Sequence, residues 1–278
     1  MSDAILESIH VYPVKGCAGI DLPAARVVTT GLAIDGAADR EWMVVDDTGR
    51  FLTQREFPRL TQVHTAVVGG CLVLSAPHMG SLAVERVSLA PAREVVVWRS
   101  AVRGWDAGDA AAGWLSDWLA QDVRLVRFDA DVVRLCNPEF AGDSGAHTYF
   151  ADGYPVLVIG TGSLADLNAR LLAEGEAAVP MNRFRPNLVV DGLPAFEEDH
   201  VDTFSIGDVV LRAVKPCTRC QVTTTDQRTA EVGQEPLRTL ATYRMDERLS
   251  GITFGMNCIV VSGGTLARGM PVAPDYRF

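Results

Sequence analysis

Basic residues are in short supply in this 278-residue sequence: 25 lysines and arginines face 35 aspartates and glutamates, for a formal net charge of −10. That balance argues against nucleic acid or anionic membrane as the main partner, because both select for a net basic face. An anionic ligand has to be drawn by a local cluster of cations. Long apolar runs are missing as well. The stretch from Met1 to Ile9 is acidic and has no apolar core, so neither a secretory signal nor a membrane span is expected, and the expected location is cytoplasmic. Dense cysteine spacing is absent too. Cys17, Cys71, Cys136, Cys217, Cys220 and Cys258 are too scattered for a disulfide scaffold and read as thiols. A zinc site lacks its second half, with no other C-x-x-C and no close pair among His10, His64, His78, His147 and His200. Internal repeats, low-complexity runs and long linkers are also lacking.

What is present is an ordinary globular mix, 48% hydrophobic and 22% charged, in a chain long enough for one large or two modest domains. Short β-like runs fill the first hundred residues: Ile9 to Tyr12, Trp42 to Val45 with a Gly turn into Phe51-Leu52-Thr53, Thr65 to Val68, Cys71 to Leu74, and Glu94 to Trp98. Their spacing suits a barrel or sandwich rather than alternating βαβ units. Gly113 to Asp122 places Trp114, Leu115, Trp118 and Leu119 at helical spacing, the pattern of a helix covering a core. Asn137 to Thr148, polar and glycine-containing, is expected as a loop and a candidate lid. A second helix is expected over Ser163 to Ala173, with Ser163 and Asp166 resembling a capping box and Leu164, Leu167, Leu171 and Leu172 on one stripe. Asn187 to Val190, Val209 to Val214, Gln221 to Thr225 and Asn257 to Val261 read as strands from their Val, Ile and Thr content. The expected class is mainly β with a few helices (α+β).

Chemistry concentrates in two places. Lys215-Pro216-Cys217-Thr218-Arg219-Cys220 sets two thiols beside two cations, which favour the thiolate, the soft form that metals bind. From spacing alone, an inert cysteine pair, a thioredoxin-like redox pair and a metal site all fit. Asn182-Arg183-Phe184-Arg185-Pro186-Asn187 offers guanidinium forks and amides suited to a phosphate or a polar heterocycle, though on the residues alone two surface arginines on an exposed edge are the favoured reading. Lys15, in a glycine-flanked loop, and Arg40, beside Asp39, are further candidate anion contacts.

In this order along the chain, several stretches resemble the MOSC-domain proteins, named after the C-terminal domain of molybdenum cofactor sulfurase. The likeness is greatest to the mitochondrial amidoxime reducing component and its bacterial relatives. The stretches are Tyr12 to Lys15, Asp39 to Asp46, Phe51 to Glu56, Phe150 to Gly153, Arg183 to Asn187, Lys215 to Cys220 with Thr223-Thr224, Glu235 to Leu237, Tyr243-Arg244 and Phe254-Gly255.

The resemblance implies an N-terminal β-barrel-like domain over residues 1–125 packed on a MOSC β-barrel domain over 126–278, with a molybdenum–molybdopterin cofactor between them. Carried over position by position, it makes Cys220 the molybdenum ligand and catalytic residue, and Cys217 only a neighbour. Lys15, Gly16, Arg40, Arg185, Asn187, Thr218 and Arg219 fall at cofactor-contacting positions, as do Asp152, Tyr154 and Asn257. The implied activity is reduction of small N-hydroxylated substrates with electrons from a separate ferredoxin, flavoprotein or cytochrome, since no iron–sulfur cysteine cluster is visible. Sulfur transfer through a Cys220 persulfide and a cofactor carrier are the alternatives. Three departures stand out. Gly16 replaces a common serine, so a backbone N–H would stand in for a hydroxyl; Thr225-Asp226-Gln227 replaces the usual Val-Asp-Pro; and Met256-Asn257 follows Gly255.

Overall fold

The computed structural model describes residues 4–86 and 91–277, so the first three residues of the acidic N-terminal stretch lie outside them. The protein is mainly β with a few helices, as its residue pattern predicts. A nine-stranded sheet dominates the C-terminal half. At its centre Val156–Gly160, buried at all five positions, pairs in parallel with Leu188–Asp191 and antiparallel with Gly251–Ser262. A continuous apolar run of this kind marks a strand covered on both faces. The crossover between the parallel strands is the helix Thr161–Ala173, which buries Leu167 and Leu171 in a cluster with Phe184, Leu240 and Phe254.

The sheet also reaches back to the start of the chain. Ile5–Val11 pairs with Leu188–Asp191 on one edge and Ile20–Leu22 on the other. Gly264–Ala267 returns the exchange by joining Ala24–Val28 in a four-stranded sheet. The N-terminal lobe proper holds a second four-stranded sheet, Trp42–Val45, Ala92–Val97, Ser100–Asp106 and Arg124–Phe128, and a three-stranded one, His64–Val68, Cys71–Ser75 and Leu82–Val84. Helix Asp109–Leu119 closes this lobe with Ala111, Leu115, Trp118 and Leu119 buried. Among the described residues no helix is long and apolar enough to cross a membrane.

Four local expectations need correction. The first helix begins at Asp109 and stops at Ala120, whose left-handed φ of 53° ends it short of Asp122. Ser163 does not cap the second helix, which already starts at Thr161; its hydroxyl bonds the buried Glu198 carboxylate instead. Gln221–Thr224 is a 3-10 turn rather than a strand, because the Thr223 and Thr224 hydroxyls donate back to the carbonyls of Cys220 and Gln221. Phe51 makes only a single bridge to Val45, so the expected second strand of that hairpin does not extend. Within the polar stretch after Cys136, Pro138–Ala141 forms one helical turn capped by the Asn137 side chain.

Candidate cofactor site

The cavity lies where the lobes meet, about 290 Å³ in volume, and every residue singled out for the site lines it. Its C-terminal wall depends on the irregular end of one strand. Val209–Thr218 pairs with Gly251–Ser262, but the register slips around Ala213/Lys215 and again around Pro216/Thr218. Pro216 has no N–H to offer the ladder, and pairing continues irregularly through Thr218 opposite Thr253. Thr218, Arg219 and Cys220 are thereby carried along the cavity, with the 3-10 turn Gln221–Thr224 directly after them.

The two thiols separate. Cys220 is exposed on the cavity wall. Cys217 packs against the cluster around Phe184 and Phe254, and burial pushes its thiol up despite the opposing charge of Arg219. Burial therefore outweighs the help that Arg219 gives a thiolate at Cys217, contrary to the simplest reading of the sequence. Asn257 lines the cavity as well.

A cationic wall faces this segment. Arg40 and Arg185 both adopt left-handed backbone, φ 49° and 55°, and each guanidinium carbon lies 4.2–4.3 Å from the centroid of the buried Tyr12 ring. Asp39, itself buried, holds Arg40 and accepts from the Tyr12 N–H at 2.8 Å. The Asn187 carbonyl oxygen accepts from Arg40 at 3.2 Å and from the Leu157 N–H at 3.1 Å, while its amide donates to Asp39 at 3.0 Å and to the His10 carbonyl at 3.2 Å. Arg185 makes one long bond, 3.4 Å, to the Gln227 carbonyl oxygen. Arg219 donates to the carbonyls of Phe254 and Phe184 at 2.9 and 3.2 Å, and its Nη2 is buried with no partner among the described residues.

The opposite wall carries Lys15, whose side chain is 9% exposed. It donates to the Phe150 carbonyl at 2.8 Å and pairs with Asp152. Burial drives the lysine's pKa down while Asp152 opposes the shift. The Asp152 carboxylate opens onto the cavity, 77% exposed. What burial it has would raise its pKa, but the charge and hydrogen bond of Lys15, with a bond from Trp98, hold it well below the usual carboxylate range. Next to Lys15, Gly16 has φ 83°, a conformation open to glycine, and its carbonyl accepts from Gln54 at 2.6 Å. The Tyr154 hydroxyl is buried without a partner among the described residues, and burial pushes its pKa up to about 12.

Some lining residues were not singled out from the sequence. Gln54 is one; it forms a reciprocal amide pair with Gln227, Nε2 to Oε1 at 3.3 and 3.2 Å, which joins the lobes beside the cavity. Trp98 and Arg55 stand on the N-terminal side, with the guanidinium 5.0 Å from the indole. Neither amide has a local pattern that marks it. Trp98 does have one: a bulky aromatic at the tip of a two-residue hairpin turn, where glycine or asparagine is usual.

Fold and cavity together define a class: a two-lobed β protein whose cationic cleft, walled by both lobes, presents one open thiol beside orphaned donors. The comparisons with known proteins narrow it. A family model described as the MOSC N-terminal beta barrel domain matches residues 3–122, and one described as the MOSC domain matches residues 146–273. The chain is 35% identical over 279 residues to mitochondrial amidoxime reducing component 2 of Bos taurus, covering 96% of this chain and 82% of that one. It is 34% identical over 277 residues to mitochondrial amidoxime-reducing component 1 of Homo sapiens, with 95% and 81% covered. The chain belongs to the MOSC-domain family of the amidoxime reducing components.

Proposed function

We propose that the cleft binds a molybdenum–molybdopterin cofactor, with the Cys220 thiolate as the protein's metal ligand, and that the chain reduces N-hydroxylated compounds such as amidoximes. The observation that carries this reading is one open thiol on the wall of a cavity lined by Lys15, Arg40, Arg185 and Arg219. The names of the relatives support the reaction. The donor set fits the group. A pterin cofactor ends in a phosphate, and Arg185 with most of its fork free and Arg219 with an orphaned Nη2 are the donors an oxyanion satisfies. Among the described residues no three His, Cys, Asp or Glu side chains cluster to hold a metal.

When bound, the cofactor supplies the two-electron reduction. The chain's residues bind and orient. Asp39 and Asn187 fix Arg40, Tyr12 backs both arginines, and the closed lobes keep the charge-assisted bonds in a region of low dielectric. An amidoxime takes up two electrons and two protons to give an amidine and water. The electrons come from a separate donor protein, of ferredoxin, flavoprotein or cytochrome type.

Protein made in a cofactor-competent host is expected to hold molybdenum by elemental analysis and to reduce benzamidoxime with an artificial reductant. Cys220→Ser should lose both properties and Cys217→Ser should keep the metal. Equal metal loss in the two variants would refute the ligand assignment. Extra sulfur mass on Cys220 without molybdenum would favour persulfide transfer instead, and bound cofactor without turnover a carrier.

A further inference from the structure

Trp98 stands apart from the anion cradle yet lines the same cavity. It lies at the tip of the hairpin Ala92–Val97/Ser100–Asp106, where Val97 pairs with Ser100 and leaves only Trp98 and Arg99 to turn the chain. Such a turn needs positive φ, which Gly, Asn and Asp accept most readily. Trp98 takes φ 56° there. A bulky side chain persists in that conformation only where its surroundings hold it. Here its indole N–H donates to Asp152 Oδ1 at 2.9 Å, its ring meets Phe51 at 5.0 Å between centroids, and Arg55 lies 5.0 Å from the ring. Even so, 45% of Trp98 stays exposed.

This arrangement differs from the cradle in chemistry. Arg40, Arg185 and Arg219 stack on or reach past Tyr12 and Phe184, whereas Trp98 and Phe51 belong to the N-terminal lobe beside Lys15 and Asp152. A partly exposed indole, with Arg55 and Lys15 over its ring and a carboxylate at its edge, matches a planar group that has both a π face and N–H donors. Resting on the N-reduction reading, we propose that Trp98 is the specificity-determining wall for the reducible substrate, selecting planar, aryl-conjugated N-hydroxyamidines over aliphatic ones. The indole supplies the stacking face, and its bond to Asp152 fixes the ring against rotation.

The test compares cofactor-loaded wild type, Trp98→Ala and Trp98→Phe with benzamidoxime and acetamidoxime as paired substrates. The ratio of kcat/KM for the aryl over the alkyl substrate should fall roughly two- to tenfold in Trp98→Ala, the worth of one aromatic pair, and be largely kept in Trp98→Phe. Molybdenum content should be equal in all three proteins. Calorimetric titration of the oxidised proteins, with no reductant present, should show the same selective loss of benzamidoxime affinity. An unchanged ratio with unchanged relative affinities overturns the proposal. So does loss of molybdenum in Trp98→Ala, which would make the indole a cofactor contact. If the wild type turned over neither substrate, the N-reduction reading would fail by itself, and the titrations would still decide whether Trp98 selects aryl ligands.

Discussion

Asn187 uses its whole hydrogen-bonding capacity inside the protein. Two donors reach its carbonyl oxygen and its amide serves two acceptors, so the side chain has little left for a ligand and works by fixing Asp39 and Arg40. Asn187→Ala should therefore lower unfolding stability by about 1–3 kcal/mol, measurable by urea titration, because it strands buried polar partners. It should also weaken molybdenum retention through a misdirected Arg40. A variant as stable as wild type would show that the network relaxes around the gap. The residues of the cradle were legible in the sequence because each sits in a short run with its own chemistry, such as Arg185 in Arg183 to Asn187. Trp98 and Gln54 were not. Their importance comes from what the fold sets opposite them, and neighbours in sequence do not record that.

At the scale of elements, hydrophobic periodicity found both long helices, while their ends followed interactions from elsewhere in the chain. Ser163 looked like a cap, but the Glu198 carboxylate, brought in by the turn Glu197–His200, engages its hydroxyl and accepts from the Gly160 N–H at 3.1 Å. The threonines after Val222 read as strand because β-branched residues favour it, yet the hydroxyls of Thr223 and Thr224 satisfied a turn. Burial raises Glu198 above its usual value of 4.5, with the bonds from Ser163 and Gly160 pulling the other way. The folded state thus holds this proton more tightly than the unfolded chain. Its stabilising contribution is complete below about pH 4.5 and is lost as pH rises through the folded value. Glu198→Gln should flatten the stability profile above pH 4.5, as followed by thermal unfolding in a pH series. A profile parallel to wild type would show that the carboxyl is ionised in the fold.

For the molecule as a whole, the Gln54–Gln227 pair is a direct side-chain tie between lobes at the cavity. A double-mutant cycle of Gln54→Ala and Gln227→Ala should return a coupling of about 0.5–1.5 kcal/mol in chemical unfolding, the net worth of a typical hydrogen bond. Strict additivity would mean that this amide pair adds nothing to the ties between the lobes.

The strand exchange between the two ends of the chain bears on how the protein is made. Ile5–Val11 finds Ile20–Leu22 soon after synthesis, but its other edge has no partner until Leu188–Asp191 has emerged. Through most of translation the nascent chain therefore carries an open strand edge whose inward face bears Leu6, Ile9 and Val11. A pause or truncation before Leu188 leaves that edge free to pair with a second copy, so the time spent on the ribosome is itself a hazard for aggregation.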